Sequence, residues 1–209
     1  MSVPINIRCL PNRTSYNKRS IKEAIAHIQE RTENMARFWS KAHGWAPKEA
    51  ATLLTSVRLD YFASLAKCLS LSILTPVKPG QEPGRLILAW AHLGSLLECT
   101  LQLFLGVYLG DYLKDENRVI DRRKPKISKS LLPQELTLEY IRVFFDKSIW
   151  DDSDKSQWSK WIPDIQQKRN AIHALKPRPI GTWKDLELAV KQYNAFLEYL
   201  DGRIPYPDC

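Results

Sequence analysis

The chain has 209 residues, enough for one domain or two, and its 44% hydrophobic and 26% charged residues exclude general disorder, collagen and coiled-coil rods. Eight glycines stand against thirteen prolines, and neither GxGxxG nor GxxxxGK[ST] occurs, which excludes a nucleotide cradle built on repeated glycine turns. A formal net charge of +8 favours a polyanionic partner.

Residues 1–19 contain basic groups and no acid, and Pro4 and Pro11 interrupt any apolar or amphipathic run, which predicts a flexible basic arm rather than a leader segment. One all-α domain is expected over 20–209. Ser20-Ile-Lys-Glu23 has the form of a capping box, in which the serine oxygen takes an orphan amide and the glutamate reaches back to the cap. Behind it Ile21, Ile25, Ile28, Met35, Trp39 and Ala42 recur at helical spacing, predicting a helix over about 20–42 that ends at Gly44. Pro47 opens a second helix with Leu54, Val57, Tyr61, Leu65 and Cys68 as its apolar stripe, and the run Pro76–Gly84 breaks the chain.

Residues 86–113 are the most apolar segment and are long enough to cross a bilayer. His92, Glu98 and Gln102 lie in its middle, and a central acid costs about 2.5–3.5 kcal/mol on insertion. The expectation is therefore a buried core helix and no membrane partner, with His92 a hydrogen-bonded core residue and Gly106/Gly110 marking close helix packing. From 116 to 132, six bases face two acids and supply half the net charge, the pattern of an exposed loop that is either a solvated linker or a nucleic-acid contact. A fourth helix follows Pro133 with Leu136, Tyr140, Phe144 and Phe145 as buried candidates. A fifth carries Trp158, Trp161, Ile165, Ile172 and Leu175, with a kink or restart at Pro163. Thr182-Trp-Lys-Asp185 caps a final helix whose stripe is Leu186, Ala189, Tyr193, Leu197 and Leu200, and Gly202 and Pro205 stop it. No strand-like alternation occurs, so the reading is an all-α bundle of five to six helices.

Most catalytic patterns are missing: there is no GxSxG, no HExxH and no Asp/Glu/His cluster at metal spacing, so no metal and no cofactor is expected. Cys9, Cys68, Cys99 and Cys209 form no CxxC, the usage of a reduced, cytoplasmic protein without zinc or disulfides. One constellation stands out, Gln166-Gln-Lys-Arg-Asn-Ala-Ile-His173. On a continuous helix Arg169 and His173 differ in direction by only ~40° and project together. Arg169 and Asn170 then flank the apolar stripe, with the stem of Lys168 on it, and Lys176 and Arg178 extend the positive field downstream. A guanidinium beside an imidazole is suited to a phosphate, the first neutralising charge and the second moving a proton near neutral pH. The same residues fit a plainer account, in which Arg169 pairs with Glu98 across the bundle and only fixes helix packing.

The Arg169-Asn170…His173 motif, the long helix with Gly94-Ser-Leu-Leu-Glu98 and the capped final helix ending in Arg203-Ile-Pro-Tyr-Pro-Asp208 together resemble the HEPN superfamily (higher eukaryotes and prokaryotes nucleotide-binding). The likeness covers 86–208 as a HEPN-like core, with 20–85 as an N-terminal helical extension. It implies a homodimer in which two Arg/His motifs meet, and a metal-independent endoribonuclease of a toxin–antitoxin or anti-phage defence system, controlled by a regulatory protein partner. In that reading Arg169 clamps the scissile phosphate, His173 is the general acid/base, Asn170 supplies a neutral hydrogen bond and Glu98 orients the site. Arg118, Arg122, Arg123, Lys124, Lys168, Lys176 and Arg178 would carry the RNA track. The family places four to six residues between Arg and His, where this chain has three. The rival is a non-catalytic RNA-binding, dimerising or adaptor module, with Trp45, Trp150 and Trp183 as interface anchors.

Overall fold

Both expected N-terminal caps form, each as a capping box. Ser20 Oγ accepts from the Glu23 amide (3.3 Å) while Glu23 returns a carboxylate oxygen to the Ser20 amide (2.7 Å), and Thr182 and Asp185 repeat the arrangement. They open the first and last of eight α-helices, in a computed structural model that describes residues 18–121, 129–173 and 175–206. The helices are α1 (Ile21–Trp39), α2 (Lys48–Ser56), α3 (Leu59–Leu74), α4 (Glu82–Val107), α5 (Leu109–Lys114), α6 (Leu138–Phe144), α7 (Asp152–Arg169) and α8 (Trp183–Asp201). Among the described residues there is no strand, only an isolated antiparallel bridge between Ile120 and Ser130, so the architecture is all-α.

The organising element is α4. It packs against α2, α3, α7 and α8, and Leu93, Leu96, Leu97 and Leu101 are sealed from solvent. By length and composition α4 is apolar enough to cross a membrane, but in the fold that apolarity is spent on neighbouring helices on several sides. Gly106 belongs to this packing: a Cβ there would come within 3.0 Å of Leu54 Cδ2 on α2, so the helices approach closely. Gly110 has open space instead, and the pair is not a common packing seam. α1 lies against α3 and α8, closing the second layer of the bundle.

The predicted second helix is two. α2 ends at Ser56, Val57 is extended, and α3 restarts at Leu59. The restart rotates the buried face, so α3 buries Leu59, Phe62, Ala66 and Leu69 while Tyr61 and Cys68 face solvent. The predicted 86–113 helix likewise breaks at Tyr108, whose hydroxyl donates to the Arg203 carbonyl. Tyr140 was a buried candidate and is 49% exposed, whereas Leu136, Phe144 and Phe145 are core. α7 runs through Pro163 without a restart, but its apolar stripe ends early: Ile165 is fully buried, Ile172 is 48% exposed and Leu175 is bare. Trp150, expected at an interface, is buried among Phe145, Phe196 and Tyr199.

Beneath the C-terminal end of α8 lies a buried polar knot. Asp154 on α7 accepts from the Tyr199 hydroxyl (2.5 Å) and from Arg203 Nη1 (3.1 Å), and Arg203 also reaches Tyr199 Oη (2.8 Å). Burial, then the neighbouring carboxylate, pushes the Tyr199 phenol well above its ordinary range, so it serves as a donor.

Candidate functional site

On α4, Ala91, Ser95 and Glu98 follow i, i+4, i+7 and so share one face. That face floors a half-open cleft of about 520 Å³, walled by Thr137–Glu139 at the start of α6 and by Gln166, Arg169, Asn170, Ile172 and His173 at the end of α7. Gly94, one residue away from Ser95, decides how α7 approaches. A Cβ at Gly94 would lie 2.6 Å from Arg169 Cδ and 2.8 Å from both Cβ and Cγ. The arginine stem therefore crosses α4 over bare backbone.

Having crossed, Arg169 Nη2 donates to Glu98 Oε2 at 2.6 Å. The other carboxylate oxygen, Oε1, accepts from the Leu138 amide at 2.6 Å. Leu138 begins α6, where backbone N–H groups have no helical partner. One glutamate thus ties three helices, and one turn further on Gln102 Nε2 secures the same loop by donating to the Leu136 carbonyl (3.0 Å). The two charged side chains are 27% and 15% exposed, so the pair sits at the rim of the core and retains access to the cleft. Arg169 uses one terminal nitrogen for Glu98, and among the described residues its remaining N–H groups meet no other side-chain or backbone acceptor.

The expected relation between Arg169 and His173 is altered. α7 ends at Arg169, and Asn170–Ile172 wind as a single 3₁₀ turn with His173 as its cap. A 3₁₀ turn advances ~120° per residue instead of ~100°, so the two side chains diverge more than a continuous α-helix would require. Both nonetheless line the same cleft. His173 is exposed, and among the described residues its ring has no hydrogen-bond or ion-pair partner. Asn170 is half-buried on the same wall, its carbonyl accepting the His173 amide (3.2 Å).

Among the described residues, the bases of the expected positive track do not line this cleft. Lys168 pairs with Asp164 (2.8 Å) and lies over the Trp90 ring (4.6 Å), away from the cleft. Lys176 is exposed and Arg178 half-buried, and neither lines it. Arg118, expected on an exposed loop, is half-buried and committed to Ser130 Oγ (3.1 Å) and the Asp115 carbonyl (3.0 Å). Arg122, Arg123 and Lys124 lie outside the described residues. The cleft instead gains an acid that sequence reasoning missed, Glu139, which Gln166 Nε2 contacts at 2.9 Å. The Arg142 guanidinium beside Glu139 holds its carboxyl below the usual range, so it is ionised. Only tertiary packing brings Thr137 and Glu139 to the end of α7, whereas the α4 spacing made Ser95 and Ala91 findable as companions of Glu98.

Two other groups were open to chemistry. His92 is a core histidine between α3 and α4: its Nδ1 meets Ser72 Oγ (2.7 Å) and its Nε2 the Leu65 carbonyl (2.8 Å), and burial lowers its pKa. Burial also pushes the Cys99 thiol up to about 11, a value at which it is no nucleophile near neutral pH. Among the described residues no three His, Cys, Asp or Glu side chains are grouped so as to hold a metal ion.

No protein-family model, curated protein or solved structure matches the chain.

Proposed function

We propose that this chain is a HEPN-like, RNA-directed protein whose α4–α6–α7 cleft receives a backbone phosphate, and that it acts as a metal-independent endoribonuclease in a toxin–antitoxin or anti-phage setting. The observation that carries the reading is the partly buried Arg169, held by a single nitrogen on Glu98, in a cleft it shares with Asn170 and with a His173 ring that, among the described residues, has no partner. Held this way, the guanidinium is a pre-oriented donor for an anionic oxygen. His173 takes the proton of a ribose 2′-hydroxyl, the 2′-oxygen attacks phosphorus, and the bond to the 5′-oxygen breaks. The histidine of a second protomer protonates the leaving oxygen, which leaves a 2′,3′-cyclic phosphate and a 5′-hydroxyl. Arg169 stabilises charge on the non-bridging oxygens and Asn170 hydrogen-bonds phosphate or ribose.

A second reading, a non-catalytic helical module, is favoured by Glu98: both its oxygens are engaged in joining α4, α6 and α7, which accounts for Arg169 without any ligand. Incubating the full chain with end-labelled RNA in EDTA separates the two. Cleavage to cyclic-phosphate ends that His173→Ala abolishes, with the folded state and oligomer retained, supports the nuclease. Salt-sensitive binding without cleavage supports the RNA-binding module. Neither binding nor cleavage refutes the RNA reading.

A further inference from the structure

At the far end of α4, about nine residues and roughly 14 Å along its axis from Glu98, a second cleft of about 600 Å³ opens between the turn after α1, the start of α2, the α4–α5 junction and the C-terminal tail. Its composition differs from that of the first. Trp39, Trp45 and Tyr206 form a continuous aromatic wall, with ring centroids 5.0 Å apart for Trp39–Trp45 and 5.9 Å for Trp39–Tyr206. Phe38 backs the wall, 4.7 Å from Trp45 and 4.8 Å from Tyr206. Trp45 and Tyr206 remain 39% and 40% exposed, so their rings offer apolar area to the cleft.

The wall is rigidly held. Trp45 Nε1 donates to the Lys41 carbonyl (3.0 Å), and the Tyr206 hydroxyl donates to Asp201, which is itself paired with Arg31. Gly44, at φ +94°, makes the turn that swings Trp45 back over α1, a backbone state open chiefly to glycine. Burial and the Asp201 carboxylate keep the Tyr206 phenol protonated, so its ring is an uncharged π face.

Charge supplies the second observation. The chain carries +8 overall, yet this cleft is lined by two carboxylates, Glu49 and Asp111, against one cation, Lys114. Among the described residues neither carboxylate has an ion pair within 4.0 Å or a side-chain hydrogen bond, although most other acids of the fold are committed to a partner. An aromatic face presents negative potential to a cation, and a nearby unpaired carboxylate adds to it without offering the guest an alternative neutral mode. An anion meets the same carboxylates as repulsion, and a neutral apolar guest leaves them with nothing.

We infer that this cleft binds an organic cation, an alkylammonium or guanidinium group, seated against Trp45 and Tyr206 with Glu49 and Asp111 as its counter-charges. The site is independent of the RNA cleft. The group is either a free small molecule or a lysine, methyl-lysine or arginine side chain of another polypeptide, and the chemistry of recognition is the same.

The test is calorimetric titration of the full chain with choline, with its neutral carbon isostere 3,3-dimethyl-1-butanol, and with acetylated, amidated arginine and trimethyl-lysine, at constant ionic strength. The expected result is saturable binding of at least one cation, at least tenfold weaker for the isostere, and at least tenfold weakened by Glu49→Gln with Asp111→Asn. These two acids are exposed and, among the described residues, without a side-chain partner, so the neutral variant keeps its fold. Tighter binding of the capped residues assigns a polypeptide source, tighter binding of choline a free one, and either supports the site. No saturable heat with any cation up to about 10 mM, equal binding of the isostere, or an affinity unchanged in the double variant overturns it.

Discussion

Gly94→Ala gives the sharpest test of how the candidate cleft is built. Alanine in place of a helix-interior glycine ordinarily stabilises by about 0.5–1 kcal/mol. Here the new Cβ would sit 2.6–2.8 Å from three carbons of the Arg169 stem, one of them Cβ, which no rotamer change can move. To reach ordinary contact near 3.6 Å (about van der Waals separation) the end of α7 must retreat by nearly an ångström. Overpacking of that kind costs about 1–3 kcal/mol. The retreat also draws Arg169 off Glu98 and leaves a half-buried carboxylate without its cation, worth about another 1 kcal/mol or more. The sum is a net loss of about 1–3 kcal/mol, or roughly 2–12 °C in Tm for a chain of this size. Urea unfolding measures it. The control is Arg169→Gly, because Arg169→Ala keeps the offending Cβ. In the Arg169→Gly background Gly94→Ala meets none of the three atoms and recovers its helical advantage, so its sign reverses. A single variant as stable as the parent, or an equal loss in both backgrounds, would refute the account of α7 crossing α4 on bare backbone.

Further outcomes follow from the same packing. Asp154→Asn strips the charge from the knot with Tyr199 and Arg203 and leaves a guanidinium largely out of water, so stability falls by about 2–4 kcal/mol in urea unfolding; a loss under 1 kcal/mol would show the knot to be idle. His92 has a lowered pKa in the fold, so the unfolded chain binds its proton more readily, and stability falls as pH drops from about 7.5 through the unfolded value near 6.5. His92→Gln removes that component of the slope while the carboxylates, whose shifts act below about pH 4.5, leave this window alone. Cys99, with its thiol near 11, carries on the order of one thiolate in a thousand at pH 8 and resists iodoacetamide, whereas exposed Cys68 is alkylated. Equal labelling of the two by peptide mapping would contradict the burial of Cys99.

Where an element carried its own start, stop and stripe, it was legible in the chain. α1 and α8 have capping boxes that form from residues three apart, and their buried faces are the ones the spacing marked. The break between α2 and α3 is not legible in the chain, because Val57 turns extended in the middle of an unbroken apolar pattern, with no glycine or proline to announce it. The end of α7 failed for a related reason. Ile172 and Leu175 continue the period, but the α-helix has already given way to a 3₁₀ turn and no neighbouring helix covers them. Glu98 and Arg169 were identifiable as partners because a charged group in an apolar helix has to be compensated, and a nearby base is the commonest means.

By itself the sequence determined that the protein is all-α, where its first and last helices begin, that the apolar segment starting at 86 supplies a core helix, and that Arg169, Asn170 and His173 fall within one short stretch. Those properties are local or compositional, fixed by periods of three to four residues and by the apolar content of one segment. Tertiary structure alone decided the rest. It spent Glu98 on the Leu138 amide as well as on Arg169, brought Glu139 into the cleft, committed Lys168 and Arg118 to other partners, and set Trp39, Trp45 and Tyr206 along one cleft with Glu49 and Asp111. No spacing rule reaches across such separations, because which polar groups meet depends on how whole helices pack, and packing is governed by the shape and volume of side chains that chain order does not pair.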